Sequence, residues 1–596
     1  MTVTELDDSQ RAVVEIGYGT RQVVTAGPGA GKTETVSALL EHLVEDEGLA
    51  IESELLVISF SNAAVDAVDR RLRAKSLPPA TIQTLDSLAA DIIRDLGSDD
   101  FSGMSFDQRV VEARRLLSED DWPRLEDLLH LVVDEVQDIV GVRADLLDAL
   151  LERLDPKAGF TLLGDLAQGI YDFQIRDRDG SPSPASKTTA VELLHHAYSE
   201  HGAEQRVLTG QYRARTRETF AAISLRSSAL TADERSEIAK FRASLVVAGD
   251  ISETATAAAR WKGTTAFLTS TNGQALLIAQ QLGASGYPVE LRRSPRDIPY
   301  AGWIAQALGR HPRRGISRSE FEEAVSGSGP MHPSADMWRA LRAVTDARSS
   351  ELDLTHLAAR LAIRRSLVPA LTGQQTAGMV VSTIHRAKGL EFDNVVLVDF
   401  PERFADEEDA SAATEAARVQ FVALTRAAGR IVRATGPSDA GLTSTVSPTG
   451  GTRWVRKGFK GGVTAIELMP SDVAPFELQG EDGLRAQDAL LTSTSGSVDL
   501  DLVMNPRRST LDLPVYSIRL GGIEVAVTSE AFGAAIARQR FKTDDRARPV
   551  WPSLRGAVGH PPITIPERND SIAAPWGLWL APRISGFLHI DWKAAS

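Results

Sequence analysis

Short apolar runs, each followed by a polar turn and a segment of helical spacing, recur along the first third of the chain. After the first run, Leu39, Leu40 and Leu43 follow one another at the spacing of a helix. Strands that alternate with helices predict α/β units built on a parallel sheet. The apolar runs are Val23-Val24, Leu55–Phe60, Leu131–Val133 and Phe160–Leu163, and similar runs return at Thr265–Ser270, Met379–Thr383 and Val395–Val398.

Two later regions break this pattern. Residues 290–378 combine helical apolar periodicity with clustered arginines, which predicts a small helical insertion whose basic face either contacts duplex or is only solvated. Beyond a glycine- and proline-containing stretch near residue 446, short alternating runs predict a mostly β domain. The predicted division is a first α/β core at 1–205 with a minimal insertion at about 97–130, a second α/β core at 206–289 and 379–440, the helical insertion at 290–378, and the C-terminal domain at 446–596.

Composition narrows the class of protein. The 596 residues are too many for one core, and 43% hydrophobic with 24% charged residues is typical of a globular protein. The absence of cysteine excludes disulfides and thiolate metal sites. No apolar run is long enough for a membrane helix, and the acidic N-terminus does not resemble a signal peptide, so we expect a cytoplasmic protein with no membrane contact. The net charge of −15 argues against a wholly basic surface but allows a local basic groove.

The turn after the first strand is rich in glycine. Residues 25–33 read Thr-Ala-Gly-Pro-Gly-Ala-Gly-Lys-Thr and fit the phosphate-binding loop pattern G-x-x-x-x-G-K-[ST], with Gly27 taken as the first glycine. Such a loop turns backbone N–H groups toward a triphosphate at a helix N-terminus. We expect Lys32 to reach the β- and γ-phosphates and Thr33 to hold Mg²⁺, and the correct flanking strand and helix argue against a chance match. The expected nucleotide-binding positions of the loop are Ala26, Gly27, Pro28, Gly29, Ala30, Gly31, Lys32 and Thr33.

Two carboxylates follow the buried run at 131–133. A strand of a parallel sheet delivers its ligand-binding residues at its carboxyl end. Asp134 is suited to hold Mg²⁺ through water, and Glu135 to act as general base for an attacking water. The alternative is a charged strand end that caps a helix. Together with the phosphate loop, the pair predicts nucleotide hydrolysis.

Further polar residues follow other strands. Gln168 could sense the γ-phosphate, and the adjacent aromatic residues Tyr171 and Phe173 suit base stacking, although core packing is the alternative. Gln10 could read an adenine edge or be an ordinary exposed glutamine. Arg426 is a candidate arginine finger for the γ-phosphate.

The ordered set of motifs resembles that of the superfamily 1A DNA helicases of the UvrD/Rep/PcrA type, over roughly residues 6–432. The matching segments are Gln10, the loop at 26–33, Ser59–Ala64, Thr81–Leu85, Asp134–Asp138, Gly164–Phe173, Gln211–Arg213, Val381–Phe392 and Val422–Ala427. The resemblance implies two RecA-like P-loop NTPase cores, with ATP and Mg²⁺ in a cleft between them. It further implies ATP-driven 3′-to-5′ movement on single-stranded or tailed duplex DNA.

The resemblance also implies roles for individual residues. Arg213 and Arg426 would be two arginine fingers, Tyr212 would stack on adenine, and Glu391 would meet the ribose. The residues expected to line single-stranded DNA are Phe60, Asn62, Tyr171, Phe173, Thr383 and His385.

The chain departs from the family pattern at several positions. Ile82-Gln83 replaces the usual Phe-His, Gln211 replaces an asparagine, and the inserted regions are short. The last 150 or so residues fall outside the resemblance; their segment 453–460 mixes basic and aromatic residues, which suits either nucleic-acid binding or a β-domain edge. The alternative function is therefore an ATP-switched DNA-binding subunit of a larger repair or defence complex, which docks a protein partner through the C-terminal domain. An RNA substrate is a third option.

Overall fold

The chain divides into two units in this structure, a computed structural model. The first unit comprises Met1–Leu245, Ala387–Val395 and Phe404–Ile431, and the second comprises Val246–Arg386, Val396–Arg403 and Val432–Ser596. The residues that the structure describes are 5–59, 82–97, 103–176, 183–231, 235–292, 299–326, 333–345, 349–363, 369–372, 378–401, 410–446, 452–459, 461–493, 498–539, 551–556, 558–568 and 571–592.

A six-stranded sheet lies at the centre of the first unit. Its strands are β1 (Arg21–Ala26), β2 (Leu55–Ser59), β3 (Ile82–Gln83), β4 (His130–Asp134), β5 (Gly159–Gly164) and β6 (Glu204–Leu208). The order is β3-β2-β4-β5-β1-β6, and neighbouring strands pair in parallel. Strands β2, β4 and β5 are buried along their whole length, as expected for inner strands covered on both faces.

Helices cover both faces of this sheet. In chain order, the helices up to residue 244 are α1 (Asp8–Val14), α2 (Lys32–Glu45), α3 (Leu85–Leu96), α4 (Phe106–Glu119), α5 (Pro123–Glu126), α6 (Val142–Glu152), α7 (Ala190–Ser199), α8 (Arg217–Ser224) and α9 (Arg235–Ser244). Alternate strand residues face opposite layers: Leu131 and Val133 pack with α3, α4 and α6, whereas Val132 packs with α1 and α2. The parallel α/β core predicted from the apolar runs is confirmed.

The structure differs from the predicted division at two places in this unit. Strand β6 runs to Leu208 and pairs with β1, so it crosses the boundary placed at residue 205. Helix α4 lies in the region predicted as a minimal insertion, but it packs against α3 and α6 through residues such as Val110 and Leu117. Its amphipathic face is thus part of the first core.

The remaining elements complete the chain from residue 246 onward. In chain order they are β7 (Val247–Asp250), α10 (Ile251–Ala258), β8 (Thr265–Thr269), α11 (Asn272–Ala284), β9 (Val289–Leu291), β10 (Tyr300–Ala301), α12 (Gly302–Leu308), β11 (Gly315–Ser317), α13 (Arg318–Ser326), α14 (Ser334–Thr345), β12 (Glu351–Asp353), α15 (Leu354–Ile363), β13 (Met379–Thr383), α16 (Ile384–Ala387), β14 (Phe392–Asp399), α17 (Ala410–Leu424), β15 (Ala427–Thr435), β16 (Leu442–Val446), β17 (Thr452–Lys457), β18 (Val463–Leu468), β19 (Val473–Ala474), α18 (Gly480–Thr492), β20 (Val498–Met504), β21 (Tyr516–Leu520), β22 (Ile523–Thr528), α19 (Glu530–Arg538), β23 (Ser553–Arg555), β24 (Val558–Pro566) and β25 (Leu578–Asp591).

A second six-stranded sheet has the order β7-β15-β14-β8-β13-β9. The pairs β13–β8, β13–β9 and β15–β7 are parallel. Phe267, Val381 and Val396 form its buried centre with residues of α10 and α11. The parallel pairs of this second sheet agree with the fold class expected for two RecA-like cores.

The C-terminal region is mostly β, as predicted. Its largest sheet follows the path β16-β17-β18-β25-β24-β20-β21-β22-β19, with β10 added beside β24 and β23 beside β25. The helical insertion does not have a core of its own, because Phe321 and Leu341 belong to one hydrophobic cluster with Ile563 and Leu580. Two regions that the sequence pattern separates therefore share one core. None of the helices in the described part of the chain has the length and apolar character needed to span a membrane.

Candidate nucleotide site

The glycine-rich loop connects β1 to α2 in the first unit. Gly29 and Gly31 have φ values of 78° and 84°, a left-handed conformation that glycine adopts without strain. A Cβ atom on Gly29 would lie 2.3 Å from Oε1 of Gln211, so the space also requires glycine. Strict spacing corrects one detail of the sequence analysis. Counted back from Gly31, the first position of the pattern is Ala26, the last residue of β1, and not Gly27.

The segment Gln211–Arg213 lies directly against this loop. Nε2 of Gln211 donates to the carbonyl of Pro28 at 2.7 Å, and the amide of Tyr212 donates to the carbonyl of Gly29 at 2.9 Å. Gln211, which stands where the family has asparagine, thus has a defined role in holding the loop.

Gln10 and Tyr212 meet beside the loop. Gln10 is buried in the capping box of α1, where its Oε1 accepts from the Asp7 amide at 3.1 Å. The Tyr212 hydroxyl donates to Oδ2 of Asp7 at 2.5 Å and lies 3.4 Å from Oε1 of Gln10. The Tyr212 residue remains 55% exposed, so its ring is accessible to a flat ligand.

Lys32 and the two adjacent carboxylates form a buried charged cluster. Nζ of Lys32 donates to Oε1 of Glu135 at 2.9 Å, and Gln137 donates to the other oxygen of Glu135. Burial alone would lower the pKa of Lys32, but Glu135 and Asp134 outweigh it and raise this pKa. Burial, and then the charge of Glu135, raises the pKa of Asp134 to about 6. Burial acts in the same direction on Glu135, but Lys32 and Lys388 overcome it and lower the pKa to about 2.

Glu135 is also unusual in its backbone. Its φ of 57° places it in the left-handed region, and among the described non-glycine residues it alone has a positive φ. A left-handed residue with a Cβ costs roughly 1–2 kcal/mol. Strain of this kind concentrates at functional sites, where the surrounding structure holds it in place.

Gln168 is buried and fully engaged on both sides of its amide. Its Nε2 donates to Oδ2 of Asp165 at 3.0 Å, and its Oε1 accepts from Nη2 of Arg426 at 2.7 Å. Lys388 donates to the Gln168 carbonyl and to Asp138, in a pair that is almost completely buried. Burial raises the pKa of Asp138 to about 7 although Lys388 opposes it, and burial lowers the pKa of Lys388.

The two predicted arginine fingers lie in the same unit as the loop. Arg213 donates to Glu391 and, at 3.0 Å, to the carbonyl of Thr425. Arg426 is buried, and its Nε donates to the carbonyl of Val422 at 3.0 Å. Burial, followed by the charge of Arg213, lowers the pKa of Arg426 to about 9. Glu391 is exposed and is held by Arg213.

Several residues of this network had no role in the sequence analysis. Asp138 and Lys388 stood within quoted motifs without an assigned function, and only their buried pairing shows that they act together. Asp165 is a third residue of this kind. Arg226, which donates to it, lies just after α8 in a segment that matches no motif.

The predicted DNA contacts are divided between the two units. Tyr171 and Phe173 are partly exposed in the first unit, with ring centroids 6.0 Å apart, and the ammonium of Lys388 lies 5.6 Å from the Tyr171 ring centre. Thr383 is buried at the end of β13, and His385 follows it in α16. Phe60 and Asn62 lie outside the described residues.

Five described arginines of the basic region at 290–318 lie in ion pairs. Arg310 pairs with Asp488 at 2.6 Å, Arg314 with Asp353 at 2.7 Å and Arg318 with Glu322 at 2.9 Å. Arg313 pairs with Glu320, and Arg292 lies 3.2 Å from Glu290. These ion pairs favour the solvated face over duplex contact.

The mixed basic and aromatic segment of the C-terminal region is a structural strand. Arg453 is buried and makes a two-pronged pair with Asp472 at 2.7 and 2.8 Å. Trp454 packs against Gly273, where a Cβ atom would lie 2.3 Å from the ring. The segment therefore belongs to the β domain, but β17 lies between β16 and β18 and not at the edge that was expected.

Comparison with known proteins gives the class to which this site belongs. A family model described as an AAA domain matches residues 9–174, and a model of the UvrD-like helicase C-terminal domain matches residues 335–432. The chain thus carries, in this order, the two domain types of a superfamily 1 helicase of the UvrD-like type, as the motifs predicted. A search of curated proteins found no match.

Solved structures give a weaker likeness. A Pif1 helicase from Candida albicans is 11% identical, with 72% of this chain and 94% of that chain covered and a TM-score of 0.37. A Pif1 helicase from Bacteroides, in complex with ADP-AlF3 and ssDNA, is 14% identical, with 72% and 92% covered and a TM-score of 0.32. The assignment rests on the family models and not on this likeness.

Proposed function

We propose that the protein is an ATP-dependent DNA helicase that translocates on single-stranded DNA in the 3′-to-5′ direction. The family models support a DNA helicase in general, while the direction, the coupling to DNA and a role in repair, recombination or phage defence are our proposal. The observation that carries it is a hydrogen-bonded network in one unit. It runs from Lys32 and Glu135 to Gln168 and Arg426, and the connecting residues are Gln137 and Asp165.

ATP hydrolysis would use the charged cluster at the loop. Lys32 and the loop amides would bind the β- and γ-phosphates, and Glu135, held by Lys32 and Gln137, would take a proton from the attacking water. The low pKa of Glu135 keeps it ionised for this step.

The same cluster fits a magnesium ion. The oxygen ligands would be the hydroxyl of Thr33 and the carboxylate of Asp134. Burial and the charge of Glu135 disfavour the ionised form of Asp134, so a bound cation would stabilise it. When bound with ATP, Mg²⁺ neutralises charge on the phosphates. Among the described residues, no group of three or more histidine, aspartate or glutamate side chains is arranged to hold a metal ion.

The remaining site residues would sense and stabilise the triphosphate. Gln168 would position the water, and Arg213 and Arg426 would turn from their present partners toward the γ-phosphate as charge develops. The exposed ring of Tyr212 would stack on adenine beside Gln10, and Glu391 would meet the ribose.

Coupling to DNA would pass through Lys388. Its ammonium contacts the carbonyl of Gln168 and lies over the ring of Tyr171, so one side chain touches both the γ-phosphate sensor and a base-stacking residue. Tyr171 and Phe173 would stack on bases, with Thr383, His385, Phe60 and Asn62 as further contacts.

Unwinding assays with tailed duplexes test this proposal. The protein should separate the strands of a duplex with a 3′ single-stranded tail in the presence of ATP and Mg²⁺, and should leave a 5′-tailed duplex of the same sequence intact. The Lys32→Ala variant is the control for contaminating activity. Preferential unwinding of the 5′-tailed duplex would reverse the proposed direction, and an RNA duplex as a third substrate tests the RNA option.

A second candidate is an ATP-switched DNA-binding subunit with little unwinding of its own. The observation in its favour is that Arg310, Arg314 and Arg318, in the described part of the insertion, already pair with acidic side chains. It predicts DNA-stimulated ATP hydrolysis without strand separation on either tailed duplex, and recovery of unwinding when a protein partner binds the C-terminal region.

A further inference from the structure

Arg226 contacts both the phosphate loop and the turn that carries Gln168. Its Nε and Nη2 atoms each lie 2.8 Å from Oδ1 of Asp165, a carboxylate with a fully buried side chain. The aliphatic part of Arg226 lies against the loop, since a Cβ atom on Gly27 would meet its Cδ at 3.6 Å. The Arg226 side chain therefore joins the phosphate loop, through its aliphatic part, to the turn that carries Gln168, through its guanidinium.

Asp165 passes this contact on to Gln168. Oδ1 of Asp165 also accepts from the amide of Ala167 at 3.2 Å, while Oδ2 accepts from Nε2 of Gln168 at 3.0 Å. Asp165 is itself fixed through its own amide, which donates to Gln137 at 2.9 Å. The position of the Gln168 side chain is thus set by a carboxylate whose direct cationic partner is Arg226.

One wall of a cavity of about 350 Å³ is formed by Arg226, next to Gly27 and Pro28. About a third of its side chain is exposed, whereas Asp165 is not exposed at all. Because of this position, the Arg226 side chain can move when the conformation of the phosphate loop changes, and the buried carboxylate of Asp165 would pass that movement on to Gln168.

We propose that Arg226 is a third arginine of the nucleotide site, a positioning residue that holds Gln168 in its active orientation through Asp165. This inference rests on the proposed function. The chain of bonds runs Arg226, Asp165, Gln168 and Arg426, so a change at the loop reaches an arginine finger through contacts of 2.7–3.0 Å. The hydrogen bond and ion pair between Arg226 and Asp165 join two charged groups, and such bonds are stronger than neutral ones.

Steady-state ATP hydrolysis with single-stranded DNA tests this role. Arg226→Gln should lower kcat by about tenfold or more, because small displacements of a positioning contact cost this much, while KM for ATP changes by less than about threefold. Arg226→Lys keeps the charge but not the fork of two nitrogens, so it should recover part of kcat. The matched control is Arg217→Gln, an exposed arginine on α8, which should match the wild-type protein.

A double-mutant cycle separates positioning from general damage to the fold. If Arg226 acts through Gln168, the double variant Arg226→Gln/Gln168→Ala should have the same kcat as Gln168→Ala alone, within about twofold. Independent effects that multiply would overturn the proposal, as would a wild-type kcat in Arg226→Gln.

Hydrogen–deuterium exchange gives a readout that does not depend on catalysis. The amide of Ala167 donates to Oδ1 of Asp165, the oxygen that Arg226 also contacts, so this amide should exchange faster in Arg226→Gln than in the wild-type protein or in Arg217→Gln. Unchanged exchange would overturn the positioning role. If the wild-type protein hydrolyses no ATP, the proposed function fails, and the exchange measurement still decides whether Arg226 holds this turn.

Discussion

Replacement of Glu135 by glutamine separates catalysis from stability at the charged cluster. The surroundings lower the pKa of Glu135 from its ordinary 4.5 to about 2, which favours its ionised form by about 3 kcal/mol at 1.36 kcal/mol per pKa unit. They raise the pKa of Asp134 from 3.8 to about 6, which disfavours that ionised form by a similar amount. Glu135→Gln removes the first contribution and relieves part of the second. We therefore expect the free energy of unfolding to fall by less than about 2 kcal/mol.

The effect on hydrolysis should be much larger. A general base contributes about 10²–10⁴-fold in rate, which corresponds to a barrier increase of roughly 3–5 kcal/mol when it is lost. The amide oxygen that Glu135→Gln introduces can still accept a hydrogen bond from Lys32 or Gln137, so the loop should keep its shape and its affinity for ATP.

The assay is steady-state ATP hydrolysis at saturating single-stranded DNA, with nucleotide affinity measured separately by calorimetry on a non-hydrolysable ATP analogue. The expected result is a kcat reduced at least about a hundredfold with an unchanged dissociation constant. A Glu135→Gln variant that hydrolyses ATP within about threefold of the wild-type rate would refute the general-base assignment. Loss of nucleotide binding would instead show that Glu135 organises the loop.

Three further predictions concern other parts of the chain. Tyr212→Ala should raise KM for ATP about tenfold to a hundredfold, because it removes the ring on which one base would stack, whereas Tyr212→Phe keeps the ring and should leave KM unchanged. Equal KM values for the wild-type protein and both variants would contradict stacking on this ring. Burial lowers the pKa of His130 from 6.5 to about 4, so the unfolded chain gains a proton before the folded one and stability should drop by about 2 kcal/mol between pH 6.5 and 5. Urea unfolding at pH 7 and pH 5 should therefore show a smaller loss for His130→Gln than for the wild-type protein, and identical losses would exclude His130 as the source. Arg453→Met leaves Asp472 buried without its cation and should destabilise the C-terminal region by about 3–5 kcal/mol in chemical unfolding, while a loss below about 1 kcal/mol would mean that the pair is unimportant.

The features that could be predicted from the sequence are local in the chain. The phosphate loop needs its glycines, its lysine and its threonine within a few residues, and the strand before it and the helix after it are visible as apolar periodicity. Asp134 and Glu135 are likewise marked by the apolar strand β4 that precedes them. Family models then confirm the class of protein to which these motifs belong.

The features that could not be predicted depend on contacts between distant segments. Arg226 lies in no motif, and its importance is visible only where it meets Asp165. The clustered arginines of the insertion predicted a basic face. The sequence does not show that an arginine such as Arg310 pairs with an acidic residue far along the chain, in this case Asp488. The two-residue strand β10, too short to give a periodic signal, joins the insertion to the C-terminal sheet through β24.

The arrangement of the arginines has a consequence for regulation of the site. Arg213 and Arg426 already have partners, namely Glu391 and Gln168, so each must exchange a bond to reach a phosphate. Burial and the charge of Arg213 lower the pKa of Arg426, so a nearby anion such as a phosphate would stabilise the charged form of Arg426. If the proposed function holds, hydrolysis without DNA should be slow, because Lys388 connects the Gln168 carbonyl with the ring of Tyr171.

The rate of ATP hydrolysis with and without single-stranded DNA tests this account most directly. We expect the wild-type protein to hydrolyse ATP slowly alone and at least about tenfold faster with saturating single-stranded DNA, and the Lys32→Ala variant to show neither rate. An identical rate with and without DNA, or no hydrolysis in either condition, would contradict the central claim that this site drives movement on DNA.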